Sequence, residues 1–484
     1  MTEQSASSRV METSRTTESW NAREPFTRLA QLLDAGSLTP LHERDETAVA
    51  TVCGRIDGNK VIAFCTDASR KGGALGIEEC ARIAQAIDLA AKEEWPVIGI
   101  WHSGGAKLSD GIESMHGIGR IFAAMVRASG IVPQISIVVG PAAGGAAYGT
   151  ALGDIVIMAP AGRIFITGPD VIRSVTGEQI DMKRLGGPDA QASSGVAHVT
   201  ATSEADAYAR ARHLTDLLIH PGSFDDTLAT ATADLRALLP ESPRRAYDVR
   251  PLLRGILDCD ADGTVEELQS KWAPNMVTGI GRLGGGTVGV IANNPLRKAG
   301  CLDSESAEKA ARFVRMCDAW GIPLLVVADV PGYLPGTSQE WGGVVRRGAK
   351  LLYAFAEAQV PRITLITRRS YGGAYIAMNS RALGATAVYA WPDAEVAVMS
   401  AESAVTILYR KELASVKNDS SEALRMELID KQRRLAGGVE RGIALGLIDD
   451  VIDPAHTSRR LAAAYAAATA IVSRRRGRHG NMPI

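Results

Sequence analysis

Two glycine pairs, each placed after an apolar run, are the residues of this chain best suited to chemistry. Gly140 to Gly149 reads GPAAGGAAYG and follows the β-branched run QISIVV from Gln134 to Val139. A strand that enters a helix through Gly144 and Gly145 aims main-chain N–H groups at one point. Without a Cβ, nothing keeps a ligand oxygen away from them. This is the geometry of an oxyanion hole, although the pair taken alone also fits a plain tight turn. The device recurs at Val360 to Ala374, where VPRITLITRRSYGGA answers VPQISIVVGPAAGGA from Val132 to Ala146, with Gly372 over Gly144 at a shift of 228. Upstream, at a shift of 227, KGGAL from Lys71 lies over KAGCL from Lys298, and Pro96 over Pro323. The chain therefore reads as a duplicated α/β unit with two anion-stabilising sites.

Paired holes suit chemistry through an enolate. A hole facing a thioester carbonyl stabilises the charge that develops as the α-proton leaves, each donor contributing roughly 2.7–4 kcal/mol. A second hole can hold another delocalised anion, such as the ureido oxygen of biotin, so that a carboxyl group passes between two bound molecules. Other chemistries lack their motifs. There is no G-x-x-x-x-G-K-[ST] loop and no H-E-x-x-H. Met182-Lys183 lacks the flanks of a biotinylation site, and the six cysteines include no CxxC pair. No metal site is expected. The serine-hydrolase reading of His102-Ser103 fails because the surroundings do not form G-x-S-x-G.

The elements that must position these residues follow from periodicity. Residues 1–21 are polar and expected to be disordered. A helix is predicted from Phe26 to Leu33, then a hairpin turning at Asp57-Gly58, and a helix from Ile77 fed by the loop KGGALG. The short strand Val97 to Ile100 opens into HSGGAKLSDG, with Gly104, Gly105 and Lys107 at a usual ligand position of α/β folds. Residues 186–200 read as a loop. The segment 237–253, with three prolines and three arginines, reads as the linker between domains 22–254 and 255–484. In the second half DVPGYLPG from Asp329 stands where HSGG stood. Gly73-Ala74 and Gly300-Cys301 fit helper donors and close-packing turns equally. Arg346, Arg347 and Lys350 suit phosphate or an interface. Trp101, Trp320 and Trp341 read as packing residues, and His116 and His198 as structural. A net charge of −1 gives no global attraction to nucleic acid or an anionic membrane. No apolar run reaches 18 residues, so a cytoplasmic protein is expected.

The motifs FCTDASRKGGALG, GIWHSGGAKLSDG, GPAAGGAAYG, DVPGYLPGTSQEWGGVVRRGAKLLYAFAEA and TRRSYGGAYIAMNSRALGA, with the final HGNMPI, resemble the carboxyltransferase (β) subunits of actinobacterial biotin-dependent acetyl-/propionyl-CoA carboxylases. The similarity spans residues 22–484. It implies a crotonase/ClpP-like ββα fold in each of two homologous domains, and a homo-hexamer built as a trimer of dimers with each site between the first half of one subunit and the second half of its partner. By motif, it implies that Gly144 and Gly145 hold the acyl-CoA enolate, beside Tyr148, while Gly373 and Ala374 hold the biotin ureido oxygen, beside Gly372. Ile376 would tune acyl-chain choice. The biotin would sit on a separate α subunit, with a small ε subunit left open, and the product would be malonyl-CoA or methylmalonyl-CoA for fatty acids or polyketides. Lys107, where relatives commonly carry arginine, departs from the pattern and cannot form the same bidentate fork. A decarboxylase or transcarboxylase subunit and a non-catalytic assembly paralogue are the alternatives.

Overall fold

The computed structural model describes residues 23–229, 234–242, 245–258, 265–415, 418–436, 438–471 and 479–483. The expected disordered segment 1–21 and most of the arginine-rich tail from Arg474 lie outside them.

The first half begins with the helix Pro25–Leu32, capped by the Glu24 carboxylate, which accepts the Thr27 N–H at 2.7 Å. Its strands are β1 (Thr39–Pro40), β2 (Val49–Ile56), β3 (Asn59–Thr66), β4 (Val97–Ser103), β5 (Gln134–Ala143), β6 (Ile155–Met158), β7 (Arg163–Phe165) and β8 (Val199–Thr200). The β2–β3 hairpin turns at Asp57 and Gly58, both left-handed as a two-residue turn of this hand requires. The sheet runs β1-β2-β3-β4-β5-β6-β8, with β7 on the far end of β5. It is antiparallel up to β3 and parallel beyond, with helices Ile77–Glu93 and Ile112–Ala128 as crossovers. Helix Ile77–Glu93 buries Cys80, Ile83, Ala84, Ile87 and Ala90, a single stripe at helical spacing.

The second half repeats this order with β9 (Glu266–Leu268), β10 (Met276–Leu283), β11 (Gly286–Asn293), β12 (Leu324–Val330), β13 (Arg362–Tyr371), β14 (Ala387–Ala390), β15 (Glu395–Ala397) and β16 (Asp450–Val451). Strands β10 to β12 match β2 to β4 residue for residue at the shift of 227, and β13 matches β5 at 228. The duplication read from the glycine turns is thus the architecture of the whole chain.

Some local expectations change. Strand β5 runs on through Gly140 to Ala143, because Pro141 to Ala143 pair with β7; the turn begins at Gly144. Residues 186–200 contain the helix Pro188–Ser193 and β8 rather than a loop. Pro188 stands at the first helical position, where a missing N–H costs nothing. In the segment read as the linker, Leu239, Tyr247, Val249, Leu252 and Leu253 are buried in one cluster with residues of β10 and β11.

One apolar core spans both halves, and buried polar groups stitch it. Arg312, on helix Ser304–Ala319, donates to the carbonyls of Gly153 and Asp154, each at 3.1 Å, and lies 2.7 Å from the His198 ring. On the same helix Lys309 is fully buried, and its Nζ donates to the carbonyls of Gln269, Trp272 and Met276 at 2.9, 3.0 and 2.7 Å. Three N–H groups meet three acceptors in a turn where Gln269 and Ala273 take left-handed backbone. The segment 479–483 closes the junction. Asn481 donates to Asp154 at 2.9 Å in the first half, and His479 meets Asp318 at 2.9 Å in the second.

Lys309→Met fills the same space but takes a donor from three carbonyls, of which Gln269 O keeps the Trp272 N–H at 3.1 Å, so it should cost about 2–5 kcal/mol of unfolding free energy, read by denaturant titration. His479 faces Asp318 and, at 4.0 Å, Glu357, with Arg315 nearby. The Asp318 carboxylate raises its pKa above 6.5, against a smaller opposing effect of burial. The charged pair therefore contributes fully below about pH 6.5 and is lost as pH rises through the folded-state value. Accordingly, the stability gap between wild type and His479→Ala should be roughly 1.5–3 kcal/mol near pH 6 and shrink by pH 9.

Candidate functional site

Each glycine turn is built by a strand that stops and a loop that comes in under it. In the first half β4 carries a register shift at His102, between Trp101 and Ser103. In the second, β12 carries one at Asp329, between Ala328 and Val330. A bulge of this kind re-aims a side chain at the end of a strand. Thr66 Oγ1 accepts the His102 N–H at 2.7 Å, and Asn293 Oδ1 accepts the Asp329 N–H at 3.3 Å. The carbonyls of these bulged residues then press on the neighbouring turns. A Cβ on Gly73 would lie 2.2 Å from His102 O, and one on Gly300 would lie 2.6 Å from Asp329 O.

The donors of these neighbouring turns are mostly spent within them. Gly73 and Ala74 donate to Arg70 O and Lys71 O at 2.9 and 3.3 Å, and Gly300 and Cys301 to Arg297 O and Lys298 O, both at 2.9 Å. Of their two readings, the geometry favours close-packing turns. Burial also pushes the Cys301 thiol up. Gly104 donates to Gly72 O at 2.9 Å, and Gly105 to Ser103 Oγ at 3.2 Å. Gly105 is left-handed, and a Cβ there would stand 2.8 Å from Ala143 O. These loops clamp the glycine turns from below.

At the first turn, Gly144 donates to Phe165 O at 3.1 Å, and its left-handed backbone starts the helix Gly145–Ala151. Gly145 and Ala146 then occupy the first helical turn, where the helix offers their N–H groups no acceptor. Ile118 lies against Gly145 from behind, and Tyr148 stands 54% exposed, edge-on to Phe122. At the second turn, Gly372 is left-handed and opens the helix Gly372–Ala377, with Gly373 and Ala374 in its first turn. A Cβ on Gly373 would meet nothing nearer than Tyr333, at 4.0 Å.

A cavity of about 660 Å³ opens beside Gly372 and Gly373, bounded also by Arg369, Tyr371, Glu395 and Arg433. An apolar cavity of about 410 Å³ adjoins it, reaching Ile407 and Leu408. All the residues around both cavities belong to the second half. Gly144 and Gly145 line neither, and Ile376, 44% exposed, lies outside both. Large apolar side chains are exposed in both halves: Leu108, Ile112 and Val175 in the first, Trp341, Val398 and Leu408 in the second. At 86% exposure Trp341 is not the packing residue expected, unlike the buried Trp101 and Trp320.

The remaining candidates resolve by their partners. Ser103 donates to Gly73 O at 2.6 Å, and the His102 ring lies flat over Gly140. Burial and Arg28 hold His102 below its ordinary pKa, so it is neutral and turned to structural use. Lys107 pairs with Asp110 at 2.9 Å. Arg347 and Lys350 both reach Glu308 on the adjacent helix, at 3.4 and 2.5 Å. His198 is buried as expected, whereas His116 is exposed. Among the described residues no group of His, Cys, Asp and Glu could hold a metal. No helix among them is long and apolar enough to cross a membrane. The Asp329, Arg368 and Arg369 cluster was missed in the sequence; its signal was the charge pair RR inside the otherwise apolar run before YGGA.

The chain matches the model of the carboxyl transferase domain over residues 21–481. It is 58% identical to the biotin-dependent acetyl-/propionyl-coenzyme A carboxylase beta6 subunit of Mycobacterium tuberculosis, over 96% of this chain and 98% of that one. It is 56% identical to the propionyl-CoA carboxylase beta chain of Rhodococcus erythropolis, with the same coverage. Among solved structures it is similar to transcarboxylase 12S, described as a hexamer assembly with methylmalonyl-coenzyme A and methylmalonic acid bound. There the TM-score is 0.87 at 39% identity, covering 94% of this chain and 91% of the other.

Proposed function

Since this chain belongs to the carboxyl transferase domain family, we propose that it moves a carboxyl group from biotin on a separate α subunit to the α carbon of a short acyl-CoA. The acceptors are acetyl-CoA and propionyl-CoA, the products malonyl-CoA and methylmalonyl-CoA. What supports this reading is the duplicated turn: the same backbone device occurs twice in one chain, each copy presenting N–H groups without an acceptor of their own. Biotin, when bound, supplies the carboxyl group. This chain's part is to hold two negative oxygens.

On the acyl side, the Gly144 N–H is already given to Phe165. The donors to the thioester oxygen are therefore Gly145 with its neighbour Ala146, and Gly144 sets their direction. Charge grows on that oxygen as the enolate forms, and donors fixed in advance stabilise it without reorganising. On the biotin side, Gly373 and Ala374 take the ureido oxygen. The open space in front of Gly373 and the 660 Å³ cavity fit a group of that size.

That the first-half turn lines neither second-half cavity is in keeping with half-sites that meet across subunits. Exposed apolar residues in both halves suit such an interface. We place the chain in a homo-hexamer, a trimer of dimers, working with a biotinylated α subunit in the cytoplasm. A small ε subunit, and the fatty-acid or polyketide use of the product, belong to the same reading. The domains divide near residue 254, with the acyl side before it and the biotin side after.

Gly373→Val should lower carboxyl transfer by at least about a hundredfold, the scale of a lost oxyanion donor. The oligomer should stay assembled, since a Cβ there meets no backbone; turnover after reconstitution and sizing by light scattering read the two. Ile376→Asp should shift the acetyl/propionyl ratio of kcat/KM by roughly 10–200-fold, since the pocket judges a single methylene. An unchanged ratio would place Ile376 away from the acyl chain.

A further inference from the structure

The two halves superpose in sequence register, yet one spot beside the turns differs in charge. Where the first half has His102, Gly140 and Pro141, the second has Asp329, Arg368 and Arg369. Asp329 is buried at the bulge of β12 and accepts from Arg368 Nε at 2.7 Å and from Arg369 Nε at 3.2 Å. Arg368 goes inward, where it lies over the Tyr247 ring and reaches the Arg245 carbonyl. Arg369, one residue on and therefore on the opposite face of β13, borders the 660 Å³ cavity together with Gly372 and Gly373.

We propose that Arg369 grips a carboxylate in this cavity: the carboxyl group under transfer, carried on either the donor or the product. The inference rests on the biotin-side reading given above. A guanidinium fixed through Nε keeps its terminal N–H groups free to meet a carboxylate bidentately. The other charged groups around the cavity have partners of their own. Glu395 accepts from the Tyr371 hydroxyl, and Arg433 bridges Glu402 at 2.8 Å. Buried Asp329 is a positioning residue that sets the direction of the guanidinium. The first half carries proline at the equivalent place, in keeping with a thioester carbonyl that arrives uncharged. The half that handles a formal anion has the cation.

Isothermal titration of the assembled protein tests this without turnover, using two ligand pairs that each differ by one carboxylate. One pair is d-biotin methyl ester and its N1-carboxymethyl derivative; the other is acetyl-CoA and malonyl-CoA. Wild type should prefer the carboxylated member of at least one pair. Arg369→Met should lower that preference by about tenfold or more, and Arg369→Lys should keep part of it, while the uncarboxylated member binds as before. A loss in the biotin pair assigns the carboxylate to the donor, and a loss in the CoA pair assigns it to the product; both support the proposal. Preferences unchanged in Arg369→Met overturn it, as does a wild type with no preference in either pair. A wild type that binds neither biotin ligand overturns the biotin-side reading itself, a failure visible before any substitution is made.

Discussion

Both glycine turns depend on a carbonyl oxygen pressed against a residue that has no side chain. His102 O stands where a Cβ of Gly73 would be, Asp329 O where a Cβ of Gly300 would be, and Ala143 O close to that of Gly105. These contacts lock the loop beneath each turn to the end of its central strand. Any larger residue would force backbone apart, because the opposing atom is main chain and cannot swing away. The free N–H groups above are useful only because the peptide planes below them cannot rotate. Rigidity here is made by omission of atoms, and it is made twice.

Upon that shared frame the halves have been fitted differently. In the first, a neutral imidazole lies over Gly140, steadied by Arg28, which is itself held by Glu204 at 2.8 Å. In the second, a carboxylate binds two guanidiniums in the same space. Duplication supplied equal geometry, and a few side chains then gave one copy a paired charge cluster the other lacks. The core tolerates this because the charges are paired where they are buried.

Much of this was legible in the residues. The glycine pairs, the alternation of strands and helices and the shift of 227 are properties of local sequence, and they reappear in the fold, although the strands run longer than their apolar runs. What was not legible depends on partners distant in the chain. The N–H of Gly144 is spent on Phe165, and only the pairing of β7 with β5 reveals it. Residues 186–200 looked like a loop because short helices carry too few turns for a periodic signal. Trp341 was read as packing because a large aromatic usually buries itself. Lys309 and Arg312 gave no warning, since a lysine and an arginine on a helix normally face water.

The last described residues carry a timing consequence. Asp154 is buried, and burial raises its pKa to about 6 although Asn481, Gln134 and Arg312 all act to lower it. Asn481 follows Asp154 by 327 residues. While the ribosome is still making the second half, that carboxylate lacks both Asn481 and the guanidinium from helix Ser304–Ala319. The nascent first half must therefore keep this corner open to water, or hold a proton there, until the second half has emerged through Asn481. Closure of the corner thus waits on a residue far downstream, and a first half without it would leave the Asp154 carboxylate with the Gln134 N–H, at 2.9 Å, as its own half's donor.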